Sequence, residues 1–233
     1  MAGASTFQVL FMSKPNSSSS ATATFITSNA PGQFSSATHN HGTLSIGTAA
    51  ADRYVLVAIT ANGSSTANLT SVTIGGVSAT LYQNTTIGSG GSFCISAFAV
   101  LLVTTGTTAN ITLNYSGSFS RSAIGIYNLN GLGSSTPVDH SSDSTASAST
   151  LSLTLNSTAG GIILGVFSNR TTSGSTTVTW TGATEDYDTN VWGGLSVYVA
   201  SSSHGSTASS TQNITVSPTM TDSVQCMSAI SFG

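Results

Sequence analysis

Hydrophobic and polar residues alternate with a period of two along almost the whole chain, and no window places apolar residues at helical spacing for three turns. Runs rich in Thr, Val and Ile, separated by Ser, Gly, Asn and Pro, predict about fifteen short strands. The predicted strands cover residues 6–12, 22–28, 43–47, 53–61, 69–74, 77–83, 93–103, 109–115, 121–129, 151–155, 161–169, 176–181, 184–188, 195–201, 213–217 and 224–232.

Two local patterns refine this picture. Gly75 and Gly76 separate two predicted strands, and they predict a hairpin turn because glycine adopts positive φ without strain. The runs 93–103 and 161–167 are almost continuously apolar, which predicts central strands covered on both faces. The fold class that follows is all-β, an antiparallel β-sandwich of jelly-roll type.

The spacing of the strands also predicts a domain organisation. It predicts an N-terminal extended arm or strand pair at residues 1–36 and one β-sandwich domain at residues 37–233. The stretch 134–150 is rich in Ser, Thr and Ala, which predicts a long loop. We expect the arm to lie along neighbouring subunits by strand addition.

The composition restricts the possible partners. Only 5% of residues are charged, with 4 Lys plus Arg against 7 Asp plus Glu, and Ser and Thr make up about a third of the chain. So few cations disfavour nucleic acid and anionic membranes as partners. A weakly charged surface favours association with other protein. The start of the chain has no pattern of a secretory signal, and no stretch reaches the ~20 apolar residues of a membrane helix.

Cys94 and Cys226 are the only cysteines, and each lies within an apolar run. Two buried thiols are the favoured interpretation because nothing else indicates an oxidising compartment. A disulfide between them remains the alternative.

Two groups of residues are candidate metal ligands. The alternation in His39-Asn40-His41 puts both imidazoles on one side of a strand, where three chains on an axis could bind a transition metal. Asp186 and Asp188, with Glu185, could offer oxygen ligands to Ca²⁺. In both places the favoured interpretation is structural, as a solvated loop for the histidines and a soluble strand end for the carboxylates.

The aromatic and cationic side chains also have two interpretations. Tyr187, Trp192 and Tyr198 could stack on sugar rings, although in a sandwich they are more often core or interface residues. Arg53, Arg121 and Arg170 each border an apolar strand and are expected to bond loop carbonyls, with pairing between subunits as the alternative.

Catalysis is not expected. Serines are so frequent that Ser-His-Asp combinations carry no information, and no Gly-x-Ser-x-Gly elbow lies between a strand and a helix. The glycine-rich stretch 88–91 lacks the lysine of a phosphate-binding loop. We therefore assign no catalytic residue and no cofactor.

Several segments together resemble β-sandwich proteins of tailed bacteriophages and prophages, and more loosely modules of secreted bacterial surface proteins. They are SIGTAAADR at 45–53, SVTIGGVSAT at 71–80, RSAIGIY at 121–127, TPVD at 136–139, TWTGATEDYD at 179–188 and MSAISF at 227–232. The match covers about residues 43–232 and rests on turns and core strands. The resemblance implies the fold and a place in a phage particle, and it supplies no catalytic residues.

The expected function is that of a non-enzymatic virion structural protein, assembled in the host cytoplasm. Capsid decoration, as a cement or head-fibre protein, is the first placement, and the tail or baseplate is the second. The expected partners are other copies of the chain and the major capsid or tail proteins. A glycan-binding module for host surface polysaccharide is the alternative from a different class, and a secreted bacterial adhesin is the third.

Overall fold

The computed structural model describes residues 20–32, 34, 36–63, 66–89, 92–146, 150–171, 177–193, 196–219 and 223–233. The predicted strand at 6–12 and most of the predicted arm lie outside these residues. Within the described residues no helix is long and apolar enough to cross a membrane.

Seventeen strands make up the described structure. They are β1 (Thr22–Asn29), β2 (Ser36–Ser45), β3 (Tyr54–Gly63), β4 (Leu69–Ile74), β5 (Val77–Ser78), β6 (Thr80–Ser89), β7 (Ser92–Leu102), β8 (Thr108–Phe119), β9 (Arg121–Asn130), β10 (Asp139–Thr145), β11 (Leu151–Asn156), β12 (Ile162–Thr171), β13 (Val178–Thr181), β14 (Thr184–Gly193), β15 (Ser196–Ser206), β16 (Thr211–Pro218) and β17 (Ser223–Phe232). All pairs are antiparallel.

The first nine strands form a sandwich of two sheets. A first inner sheet has the order β1-β9-β3-β7-β6, and a first outer sheet has the order β2-β8-β4-β5. The pairs β1–β9, β2–β8 and β3–β7 are nested, each enclosing the next along the chain. Nested antiparallel pairing of this kind is the topology of a jelly roll.

The remaining eight strands repeat this order. A second inner sheet runs β10-β17-β12-β15-β14 and a second outer sheet β11-β16-β13, with β10–β17, β11–β16 and β12–β15 nested in the same way. We call residues 22–130 the first repeat and residues 139–232 the second repeat. The register makes Thr112 of β8 equivalent to Thr215 of β16, within the related sequences TANIT at 108–112 and TQNIT at 211–215.

The four sheets are stacked in the order first outer, first inner, second inner, second outer. One hydrophobic core lies inside each sandwich, and a third cluster joins the two inner sheets. This third cluster, which we call the seam, includes Leu56, Phe98 and Tyr127 from the first repeat and Leu164 and Phe232 from the second. Because the inner sheets are covered on both sides, their central strands are apolar on both faces.

The two repeats meet as the halves of a homodimer would. The Ser96 hydroxyl of β7 lies 2.8 Å from that of Ser228 on β17, and the Gln83 amide of β6 lies 2.6 Å from the Ser142 hydroxyl on β10. At the other edge Phe25 of β1 stacks on Tyr187 of β14. Edge strand β6 of the first inner sheet therefore lies against edge strand β10 of the second, and β1 lies against β14. Because β1 and β10 hold the same place in their sheets, as do β6 and β14, the two contacts are related as in a two-fold interface.

The all-β antiparallel sandwich of jelly-roll type is confirmed, as is the hairpin at Gly75 and Gly76, whose φ angles are 62° and 83°. The predicted central strands 93–103 and 161–167 are β7 and β12, both in inner sheets. The predicted loop 134–150 contains the edge strand β10, which pairs with β17 through its backbone and has no apolar residue to reveal it.

The predicted boundary after residue 36 differs from the division in the structure. β1 lies within the predicted arm, yet it is an edge strand of the first inner sheet through its pairing with β9. The described structure divides instead at the linker 131–138, between the two repeats.

Candidate functional site

The two outer faces of the stack are the most regular surfaces of the described structure, and no charged residue lies on either. The first outer face carries outward side chains from β2, β8, β4 and β5, namely Thr38, Asn40, Thr43, Ser45, Thr108, Asn110, Thr112, Asn114, Ser71, Thr73 and Ser78. The second carries Ser152, Thr154, Asn156, Thr211, Asn213, Thr215, Ser217, Thr179 and Thr181.

Side-chain hydrogen bonds join these residues across the strands. On the first face Asn114 accepts a bond of 3.0 Å from Thr38 and donates one of 3.0 Å to Ser71. On the second face the hydroxyls of Ser152 and Thr215 lie 2.9 Å apart. Cross-strand pairs of this kind stabilise the sheet and fix the orientation of the polar groups. Each outer face is therefore a neutral, ordered array of hydroxyls and amides.

His39 and His41 lie in β2 and are buried, so the interpretation as a solvated loop is wrong. Nε2 of His39 lies 3.0 Å from the Phe119 carbonyl, which requires a proton on Nε2 and leaves Nδ1 as an acceptor. The buried Ser122 hydroxyl donates to that Nδ1 over 2.8 Å and lies 2.9 Å from Nε2 of His41, whose Nδ1 lies 2.8 Å from the Asn29 side-chain oxygen. Phe34 stacks on the His39 ring at 4.0 Å.

This His39–Ser122–His41 cluster is held in its neutral form. Burial lowers the pKa of His41 to about 3, with a smaller contribution from His39. Burial also lowers the pKa of His39, while its bonds to the Phe119 and Ser36 carbonyls act in the opposite direction. Because Ser122 is fully buried beneath the rings, its hydroxyl serves packing and is not accessible as a nucleophile.

A second polar cluster bridges the two repeats. The Tyr127 hydroxyl of β9 donates to Asp186 over 2.8 Å, and Nδ1 of His204 lies 2.7 Å from the same carboxylate. His204 borders a shallow pocket of about 330 Å³ beside Thr22 and Thr184. Burial, followed by the charge of Asp186, raises the pKa of Tyr127. The cluster joins β9 to β14 and β15, and so connects the repeats.

Asp186 and Asp188 do not form a common site. A β-bulge between Glu185 and Tyr187 turns Asp186 toward the seam, whereas Asp188 accepts the Val178 N–H over 2.9 Å. Burial raises the pKa of both Asp188 and Glu185. Across the described residues no group of three His, Cys, Asp or Glu side chains is close enough to hold a metal ion.

Of the three aromatic candidates for sugar stacking, only Tyr187 has a described side chain. Its ring stacks on Phe25 with centroids 6.0 Å apart, and a Cβ added to Gly125 would lie 2.8 Å from it. Tyr187 therefore packs between the two repeats, against Phe25 of β1 and beside Ala123 of β9. Trp192 and Tyr198 lie in β14 and β15, and their side chains lie outside the described residues.

Arg53 is fully buried and bonds loop carbonyls, as the sequence predicts. Its guanidinium donates to the carbonyls of Val103, Gly47, Thr105 and Gly106 over 2.7 to 2.9 Å. Burial lowers its pKa. Arg170 likewise donates to the Gly63 carbonyl over 2.7 Å.

Cys94 and Cys226 are buried thiols in the structure, and no disulfide joins them. They lie in one small cluster with Val224, where β7 of the first repeat faces β17 of the second. Burial raises the pKa of Cys94, which disfavours the reactive thiolate.

Sequence reasoning missed the outer faces and the internal repeat on which their equivalence depends. The signal is present in the TANIT and TQNIT segments, which repeat almost the same five residues about a hundred positions apart. Comparison of the chain with family models, with curated proteins and with solved structures finds no match.

Proposed function

We propose that the chain is a non-enzymatic structural component of a larger assembly, and specifically a virion protein of a tailed bacteriophage. Capsid decoration is the first placement, with the tail or baseplate as the second. The phage assignment depends on the sequence resemblance alone. The structural role is supported by the two neutral outer faces.

The argument from the outer faces is electrostatic. A surface without charges can lie against another protein surface without matching ion pairs and without repulsion between identical copies. The central positions Thr112 and Thr215 are equivalent in the two repeats, so the faces at the two ends of the stack have closely similar chemistry. A molecule with two such ends is suited to contact neighbours on both sides.

The buried polar clusters support a structural role as well. The Ser122 hydroxyl is enclosed by two histidine rings, and Asp186 binds Tyr127 and His204 across the seam. Both arrangements satisfy buried polar groups and hold strands together. Tyr187 packs between the two repeats, which weakens the case for a glycan site formed with Trp192 and Tyr198.

The experiment introduces one charge at the centre of each outer face. Thr112→Lys and Thr215→Lys are combined, and particles made by the host that encodes the chain are purified and quantified on protein gels. Incorporation should fall by about tenfold, because a buried, unpaired ammonium is costly at a protein interface. Hundreds of copies per particle would place the protein on the capsid, and about six or twelve would place it on the tail.

Thr136→Lys is the matched control, since it makes the same change at an exposed position of the linker. It should be incorporated like the natural chain. A chain that is missing from purified particles would contradict the proposed function. Equal incorporation of the double variant and of Thr136→Lys would contradict the role of the outer faces.

A further inference from the structure

An apolar groove lies at one end of the first repeat. It has a volume of about 400 Å³, and its lining includes Ile46, Ile74, Val77, Leu101, Leu102 and Val103. Val77 is 58% exposed and Leu102 is 47% exposed. Among the described residues only Val138 is a further exposed large hydrophobic, so two of the three line this groove. Exposed aliphatic side chains that line one groove offer a place for another apolar segment to bind.

The second repeat provides an internal comparison for this groove. Val103 donates its N–H to the carbonyl of Arg53, and Thr207 donates in the same way to Gly161, which makes the two positions equivalent. Counting back along the paired strands, Leu101 and Leu102 correspond to Gly205 and Ser206, and Ile46 corresponds to Ser157. The same corner of the same fold is thus built from small and polar residues. The fold does not require aliphatic residues there.

The chain contains a segment with matching chemistry. Residues 1–19 lie outside the described structure, and they include the apolar run Phe7-Gln8-Val9-Leu10-Phe11-Met12. No charged residue interrupts this run, and the groove itself has no charged lining residue.

The geometry allows this segment to reach the groove of its own chain. Ala23 of β1 pairs with Leu129, which pairs with Tyr54, which pairs with Leu102, so β1 begins at the end of the sheet where the groove lies. Three strand spacings of about 4.8 Å separate β1 from β7, or about 14 Å. Ala21 donates its N–H to the Gly160 carbonyl, so only the seven residues 13–19 are available as a tether, and they span up to about 23 Å when extended. A tether this short gives a high effective concentration at the groove.

We propose that the segment Phe7–Met12 occupies the apolar groove of its own chain and covers Val77 and Leu102. β5 is an edge strand of the first outer sheet, so within the described residues its outer backbone groups face no other strand. A segment that lies along β5 can add to this edge while its alternate side chains enter the groove. This proposal is independent of the proposed function, and it keeps the segment on its own chain instead of on a neighbour.

The test is photo-crosslinking in the full-length chain. Benzoylphenylalanine replaces Phe11, the protein is irradiated at low concentration, and the product is separated on a denaturing gel and mapped by mass spectrometry. We expect a crosslink within the monomer band, to residues 74–78 or 101–106. Val77→Ser combined with Leu102→Ser should reduce its yield by about tenfold, because two apolar contacts are lost.

Val138→Ser is the matched control, since it removes an exposed valine outside the groove, and it should leave the yield unchanged. An unchanged urea midpoint for each variant would show that the fold is intact. A crosslink in a dimer band would mean that a second copy supplies the segment, and this would overturn the proposal. Crosslinks elsewhere, or a yield unaffected by the double variant, would overturn it as well.

Discussion

The two repeats close the same corner of the jelly roll with different chemistry. In the first repeat the corner is held by Arg53, whose side chain donates to four carbonyls of two loops. The equivalent residue in the second repeat is Gly161, where a Cβ would lie 2.2 Å from the Phe232 carbonyl oxygen. The corner of the first repeat is filled by the Arg53 side chain, and the corner of the second is closed by direct contact between backbone atoms.

The cores differ in the same way. Gly165 on β12 is covered by the Trp180 ring of β13, and the equivalent residues in the first repeat are Val57 and Val72. The first repeat fills this part of its core with two valines. The second repeat fills it with a tryptophan that covers a glycine. The comparison indicates that strand order and register fix the fold, while each repeat satisfies packing and hydrogen bonding through its own residues.

The largest expected effect follows from the corner at Arg53. Arg53→Met keeps much of the side-chain volume but leaves loop carbonyls without a donor, and it should lower the free energy of unfolding by about 4 kcal/mol. Arg53→Lys keeps a charge with fewer donors and should have a smaller effect. Urea unfolding monitored by tryptophan fluorescence measures both. A value for Arg53→Met within about 1 kcal/mol of the natural chain would show that water replaces the guanidinium readily.

The next effect follows from the core at Gly165. An added Cβ would lie 2.5 Å from the Trp180 ring and 2.8 Å from Ile214, so Gly165→Val should destabilise the protein by about 3 kcal/mol. Combining it with Trp180→Val reproduces the pair found in the first repeat. The double variant should lose less stability than the sum of the single variants, with a coupling of about 1 kcal/mol or more. Additive losses would mean that residues 165 and 180 contribute to stability independently of each other.

Much of the fold could be predicted from alternation alone, because inner strands such as β7 and β12 carry long apolar runs. β10 could not, since an edge strand held by backbone bonds has no apolar face to reveal it. The interpretation of His39 failed for a different reason. Its neighbours Asn40 and Gly42 are typical of turns, and the hydroxyl that accommodates its ring comes from Ser122, more than eighty residues away.

The buried histidines predict a smaller effect, which is a pH dependence of stability that arises in the first repeat. His39 occupies the position that Leu151 holds in the second repeat, so this buried pair of imidazoles belongs to the first core alone among the described residues. Burial lowers the pKa of His41 to about 3 from an ordinary value of 6.5. Below pH 6.5 the unfolded chain binds a proton that the folded chain does not. Stability is therefore complete above pH 6.5 and decreases as the pH falls toward 3.

At pH 5 this linkage should lower the free energy of unfolding by about 2 kcal/mol through His41 alone, relative to pH 7.5. His41→Gln removes the titrating group and keeps an amide beside Ser122 and Asn29. The variant should be less stable at pH 7.5, and its difference from the natural chain should narrow by about 2 kcal/mol at pH 5. Urea unfolding of both proteins at the two pH values measures this difference, and carboxylates shared by both cancel. Parallel pH dependences would mean that His41 binds its proton equally well in the folded and unfolded chains.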